Sequence, residues 1–225
     1  MAARIIIIPT PIGNLEDITL RALRLLREAD LIAAEDTRTT GKLMKLLEIE
    51  RPLTALHQHN EHFKVKGLLD RIAQEGLTVA LVSDAGTPGI SDPGFLLVRE
   101  ALARGIAIEC LPGPTAFVPA LVASGLPCDR FVFEGFLPQK KGRQTRLKEL
   151  QHETRTMVFY ESPFRIIKLL QEFALHVGPE RQVAVARELT KLHETYYRGT
   201  VLEVLQQLKD GVTKGEIVVL LAGKA

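Results

Sequence analysis

Val79–Gly105 reads VALVSDAGTPGISDPGFLLVREALARG, and its three parts differ sharply in texture. Val79–Val82 is an unbroken apolar run too short for a helix and rich in β-branched residues, which predicts a strand buried on both faces. Ser83–Gly94 concentrates glycine and proline, so the chain turns there. Phe95–Ala103 then places apolar residues at helical spacing, and Gly105 closes the helix. A buried strand, a shaped loop and a covering helix make one step of an α/β layer fold.

The same step recurs on either side. Arg4–Ile8, Leu31–Ala34, Leu53–Leu56 and Ile106–Leu111 are further apolar runs. Between them lie helical patterns: Asp17–Ala29, with Leu20, Leu23 and Leu26 assigned to one face; Gly41–Leu47; and a helix capped by Asn60 that carries Phe63, Leu68, Leu69 and Ile72 and stops at Gly76. Five such strands alternating with helices predict a parallel sheet covered on both sides. At Pro112 the texture changes. After a short helix to Gly125, a second series begins at Phe131–Phe136 and continues through TMVFYES, QVAVARELT, HETYYRG and EIVVLLAG. Helices are predicted near Arg143–His152, Pro163–Val177 and Thr200–Lys209. A hairpin near Thr190–His193 makes this second sheet mixed. The expected boundary lies between Leu111 and Phe117, giving an N-terminal α/β domain over 1–113 and a C-terminal one over 114–225.

Composition narrows the function. With 225 residues the chain can bury a substantial core. Net charge is only +2, so any nucleic-acid binding must come from a local patch. No tryptophan and 5% aromatic content argue against a surface that stacks many bases. Cys110 and Cys128 are too few for a disulfide framework and read as reduced, buried thiols. The apolar N-terminal run is too short for a signal peptide or membrane span, which predicts a cytoplasmic protein without a membrane partner.

In an open α/β sheet, ligands bind beyond the carboxyl ends of the strands. Four segments of unusual loop chemistry fall there: PTPIGN (Pro9–Asn14), EDTR (Glu35–Arg38), SDAGTPGISDPG (Ser83–Gly94) and PGPTA (Pro112–Ala116). Glycine admits a ligand close to the backbone and proline holds the turn, so together they predict a rigid main-chain cradle. The sequence has no G-x-G-x-x-G after its first strand, no P-loop and no G-x-S-x-G elbow, which removes support for a dinucleotide-binding Rossmann site, an NTPase or an α/β-hydrolase.

These loops, followed by FEGFLPQK, FYESPFR, ELTK and a closing GEIVVLL, strongly resemble the tetrapyrrole (corrin/porphyrin) methylase superfamily. Within it they are most similar to the ribosomal RNA small-subunit methyltransferase I group. The motifs run in order from Pro9 to Leu221, nearly the whole chain. The resemblance implies a two-domain fold with the cofactor cleft between the domains, a homodimer, and methyl transfer from S-adenosylmethionine to the ribose 2′-hydroxyl of a cytidine in the decoding region of the 16S RNA of the small ribosomal subunit. It assigns cofactor contacts to Ile12, Asp84, Gly86, Thr87, Pro88, Ile90, Thr115 and Ala116. From the second domain it adds Tyr160, Leu189, Gly215 and Glu216. Thr87 stands where porphyrinoid methylases carry aspartate, which fits the RNA branch. Many relatives continue into a helical C-terminal extension, and any RNA contacts made by it are expected to be missing from a sequence ending at Ala225.

A ribose hydroxyl is a weak acid, so the implied reaction benefits from a base. Acidic candidates are Asp17, Glu35, Asp36, Asp84, Asp92 and Glu161. Asp36 with Arg38 is the first choice for the catalytic, substrate-facing side, with Glu161 beside them; the alternative is that Asp36 and Arg38 form a structural pair or helix cap. Asp92 is read as starting the next helix. Lys140, Lys141, Arg143 and Arg146, with Lys148, are read as RNA-phosphate contacts or else as a solvated helix face. Arg165 either joins that surface or pairs with Glu161. His57, His59 and His62 imitate a metal site, but nothing completes it, and no metal is expected. Two other functions stay open: methylation of a porphyrinoid or other small molecule, and a non-catalytic RNA-binding module.

Overall fold

The computed structural model describes residues 3–57, 60–211 and 213–224. Two compact units meet in sequence between Thr115 and Ala116. In the first, β1 (Arg4–Ile7), β2 (Leu31–Ala34), β3 (Leu53–Ala55), β4 (Thr78–Val82) and β5 (Ala107–Cys110) form a sheet of order β3-β2-β4-β1-β5, parallel throughout. Alternation along β1 explains its unbroken isoleucines. Ile5 and Ile7 join the core under α3 (Glu61–Glu75) and α4 (Phe95–Ala103), whereas Ile6 and Ile8 join the core under α1 (Leu20–Glu28) and α2 (Thr37–Leu46).

Four local expectations differ from the structure. The buried stripe of α1 is Ala22, Leu25 and Leu26, while Leu20 is exposed. Positions 20, 23 and 26 fall back about 60° around the helix at each step, so they cannot share the narrow face that 22, 25, 26 and 29 share. Helix α2 starts four residues before Gly41, because the Asp36 carboxylate accepts the Arg38 amide and caps it. Phe63 points to solvent on α3. The cysteines are free and exposed rather than buried; Cys110 ends the edge strand β5, whose terminus has no covering layer.

The second unit holds α5 (Phe117–Val122), β6 (Phe131–Phe136), α6 (Arg143–Leu150), β7 (Thr156–Glu161), α7 (Ile166–His176), β8 (Gln182–Arg187), β9 (Thr195–Thr200), α8 (Val201–Lys209) and β10 (Ile217–Leu221). Its sheet runs β6-β7-β10-β8-β9; β6 and β7 are parallel and every other pairing is antiparallel, the mixed sheet expected. Met157, Phe159, Val185 and Val219 point into the core under α6, α7 and α8, and α5 packs on β7 and β10. A capping box between Thr200 and Glu203 fixes the start of α8. No helix among the described residues is long and apolar enough to cross a membrane.

Candidate functional site

All five strands of the first sheet point the same way, so the four unusual loops leave one edge. Three of them are tied together. Thr10 and Gly86 exchange amide–carbonyl bonds in both directions at 2.9 Å. The Thr10 hydroxyl donates to the Ser83 carbonyl at 3.2 Å, and the Thr87 hydroxyl to the Pro114 carbonyl at 3.0 Å. Gly86 has φ +79°, and a Cβ there would lie 3.4 Å from Ile12 Cγ2. At Gly113 a Cβ would come within 2.8 Å of Pro9 Cβ, so only glycine lets the first and last loops touch. Ile12, Gly86, Thr87 and Pro88 are thereby gathered in one cradle, with Thr115 beside Pro114. Ile12 and Pro88 are buried, and Ile90 spends its amide on the Thr87 carbonyl. Ser91, a non-glycine residue at φ +66°, stores strain in the same loop.

The carboxylates at this edge differ in character. Asp36 caps α2 and is gripped by the Arg38 guanidinium at 2.6–3.2 Å, which holds its carboxyl down at about 2. A carboxylate so weakly basic is a poor proton acceptor, and the structural alternative for Asp36 and Arg38 is the one the geometry favours. Asp84 accepts the Asp36 amide at 3.1 Å, and its own amide lies 3.4 Å from Glu35 Oε2. Burial raises both Glu35 and Asp84 above the usual carboxylate range. Asp92 is pushed furthest, to about 6, first by burial and then by the neighbouring Glu35 charge, against a hydrogen bond from Ser83. Asp92 does not start α4. The buried Glu61 of α3 does so from a distance, its Oε1 accepting the amides of Gly94, Leu96 and Leu97 at 3.1–3.2 Å. Asp17 stays exposed on a 3-10 turn.

In the second unit, Ile217 pairs with both Glu161 and Arg187, so the ends of β7 and β8 and the start of β10 share an edge. Tyr160, Leu189, Gly215 and Glu216 lie at or just beyond that edge. Tyr160 lies between Phe133 and Phe136, with ring centroids 5.3 and 5.6 Å away. Glu188 binds the Glu216 amide at 2.8 Å and Lys191 at 2.9 Å, and its own amide donates to the Glu216 carbonyl. Gly215 is required beside it, since a Cβ would sit 2.6 Å from Glu188 Oε1. Glu188 and Thr190 both adopt positive φ, 53° and 65°, a concentration of strain in one short loop. Ala116 begins α5 with no side-chain cap.

Three charged candidates are structural. Glu161 is buried and binds Arg165 at 2.8 Å and the Ser162 amide at 2.7 Å, so it is not available to a substrate. Arg143 is also buried: its guanidinium forks onto Glu172 at 2.5–3.1 Å and donates to the Pro138 carbonyl. Arg146 is committed to Glu134 and Glu149. Of the basic segment, Lys140, Lys141 and Lys148 remain exposed without an ion pair to any described residue. His59 lies outside the described residues; among those described, no cluster of three or more histidines, cysteines or carboxylates could hold a metal.

Comparison with known proteins gives this geometry a context. The profile of the tetrapyrrole (corrin/porphyrin) methylases matches residues 4–205. Over 221 residues the chain is 47% identical to the ribosomal RNA small subunit methyltransferase I of Thermotoga maritima, covering 98% of this chain and 99% of that protein. The protein of the same name from Escherichia coli O157:H7 is 51% identical over 220 residues, covering 96% and 77%. Among solved structures, a uroporphyrin-III C-methyltransferase from Thermus thermophilus complexed with S-adenyl homocysteine superposes with a TM-score of 0.65 at 21% identity, covering 97% of each chain.

Proposed function

We propose, from the premise that this chain belongs to the tetrapyrrole (corrin/porphyrin) methylases, that it transfers the methyl group of S-adenosylmethionine to the 2′-hydroxyl of a cytidine ribose in the decoding region of small-subunit ribosomal RNA, acting in the cytoplasm as a homodimer. The observation that carries this reading is the near-full-length identity, about half of all positions, to proteins named for methylating small-subunit ribosomal RNA.

The cradle suits the donor. Its glycines remove side chains where backbone must approach a ligand, and its cross-ties hold the main-chain groups before anything binds, which lowers the cost of ordering. S-adenosylmethionine, when bound, supplies a methyl group on a sulfonium that leaves as a neutral thioether. The protein's work is then to align the acceptor oxygen with that methyl and to receive a proton. Asp92 is the acceptor the structure favours over Asp36: half-buried, among like charges, and titrating close to neutrality. Glu35 and Asp84 keep its proton affinity high. The cradle residues of the first sheet edge and the four assigned residues of the second keep their roles as cofactor contacts in this proposal.

The test is incubation with methyl-labelled S-adenosylmethionine and small subunits that lack the modification. Label in the RNA is expected. Label on a uroporphyrinoid substrate but not on RNA would assign the chain to small-molecule methylation, and failure to bind the donor would leave a non-catalytic module.

A further inference from the structure

The edge of the second sheet presents two apolar side chains almost wholly to solvent: Phe164, 94% exposed, and Leu192, 92% exposed. Neither stands on a loose segment. The turn bearing Phe164 is built on buried Glu161, which accepts from Ser162 N and Arg165 Nε, while Ser162 Oγ accepts the Phe164 amide at 3.3 Å. The turn bearing Leu192 is clamped by Lys191, which bridges Glu188 and Glu216 at 2.9 and 3.0 Å. A ring held in place with its face open is available for a flat ligand to stack on.

Its surroundings indicate which ligand. Phe136 pairs with Tyr160, so the turn after β6 leaves the same edge as the turn after β7. That first turn carries Lys140 and Lys141, and Lys214 precedes β10; all three are exposed and form no ion pair with a described residue. Arg143, buried beneath the lysine turn and bonded to the Pro138 carbonyl, pins the turn in place. The β7 and β8 turns are two strands apart, roughly 10 Å. A fixed aromatic face beside unneutralised cations is the combination that binds unstacked nucleotides. Lysines without an ion pair to a described residue complement the phosphates of a nucleic acid.

We propose that this edge of the second unit binds single-stranded RNA, with Phe164 as the platform for one base and Lys140 and Lys141 taking adjacent phosphates. This assignment rests on the RNA reading above and adds to it the way the substrate is held. Low aromatic content is consistent with one platform rather than many.

The test compares the wild type with Phe164→Ala, Phe164→Leu and Phe164→Trp. For each, methyl transfer to unmodified small subunits, S-adenosylmethionine affinity by calorimetry and sedimentation are measured. Stacking predicts that Ala and Leu raise KM for the subunits about tenfold or more, that Trp restores it, and that donor affinity and oligomeric state do not change. Full activity in Phe164→Ala overturns the proposal. So does a change of oligomeric state in Phe164→Ala, which would make the edge a self-association surface. A wild type that labels no RNA refutes the RNA reading itself and is distinguishable, because it fails before any variant is made.

Discussion

Replacing Glu61 with alanine removes the one side chain among the described residues that serves the first turn of α4. In the folded protein a single buried oxygen, Oε1, accepts the amides of Gly94, Leu96 and Leu97 at 3.1–3.2 Å. Alanine leaves three amides near the core without an acceptor, and each such group costs roughly 1–3 kcal/mol. Because the three share one oxygen and water can reach part of the turn, the low end applies to each, giving a loss of about 3 kcal/mol. For a chain of this size that lowers the melting temperature by roughly 6–12 °C. Glu61→Gln keeps an oxygen but loses the charge at a helix N-terminus and is expected to lose about 1 kcal/mol. Urea denaturation of both variants gives the two values. Since Gly94 closes the cradle loop, Glu61→Ala should also weaken S-adenosylmethionine binding, read by calorimetry below the unfolding range. An alanine variant within about 0.5 kcal/mol of wild type would refute the capping argument, because this is the ordinary spread of surface substitutions.

Gly86→Val places a branched side chain at φ +79° against Ile12; affinity for S-adenosylmethionine should fall more than tenfold while the protein stays folded, since strain of about 1–2 kcal/mol is small beside the stability of a domain. Unchanged binding in calorimetry would put the cofactor elsewhere. The methyl-transfer rate should fall as pH drops through about 6, where Asp92 gains the proton that blocks it from accepting another. Asp92→Asn should abolish most activity, whereas Asp36→Asn should leave that acid limb in place, since Asp36 titrates near 2. The raised Asp92 value has a second consequence. Ionising it costs the folded state, so Asp92→Asn should stabilise the protein above pH 6 and have no such effect below pH 4, as denaturation at the two pH values would reveal.

β1, β2, β4 and β10 were legible because burial on both faces leaves short β-branched or small apolar runs. The Ser83–Gly94 loop was legible for the opposite reason: its glycines and prolines have no use inside an element. What escaped reading depended on contacts far apart in sequence. Glu61 caps a helix 33 residues away, and its place in the sequence resembles any first-turn acid. Arg143 and Glu172 are separated by 29 residues, so a buried ion pair looked like one more cation in a basic run. Asp36 had a local signal, since a carboxylate two residues before a helical amide is a sequence feature, and the helix-cap alternative is the one the structure favours. Asp92 was one acidic candidate among several, and nothing local set it apart, because its raised proton affinity comes first from burial and then from the Glu35 charge on another loop.

The proposed reaction places a methyl group on a ribose oxygen of small-subunit RNA. Alkaline hydrolysis of RNA needs a free 2′-hydroxyl, so a 2′-O-methyl nucleotide survives as an uncut dinucleotide. After reaction of the purified protein with labelled S-adenosylmethionine and unmodified small subunits, the label should be recovered in one alkali-resistant dinucleotide with a 5′ cytidine. Label recovered in mononucleotides would mean base methylation and would refute transfer to the ribose.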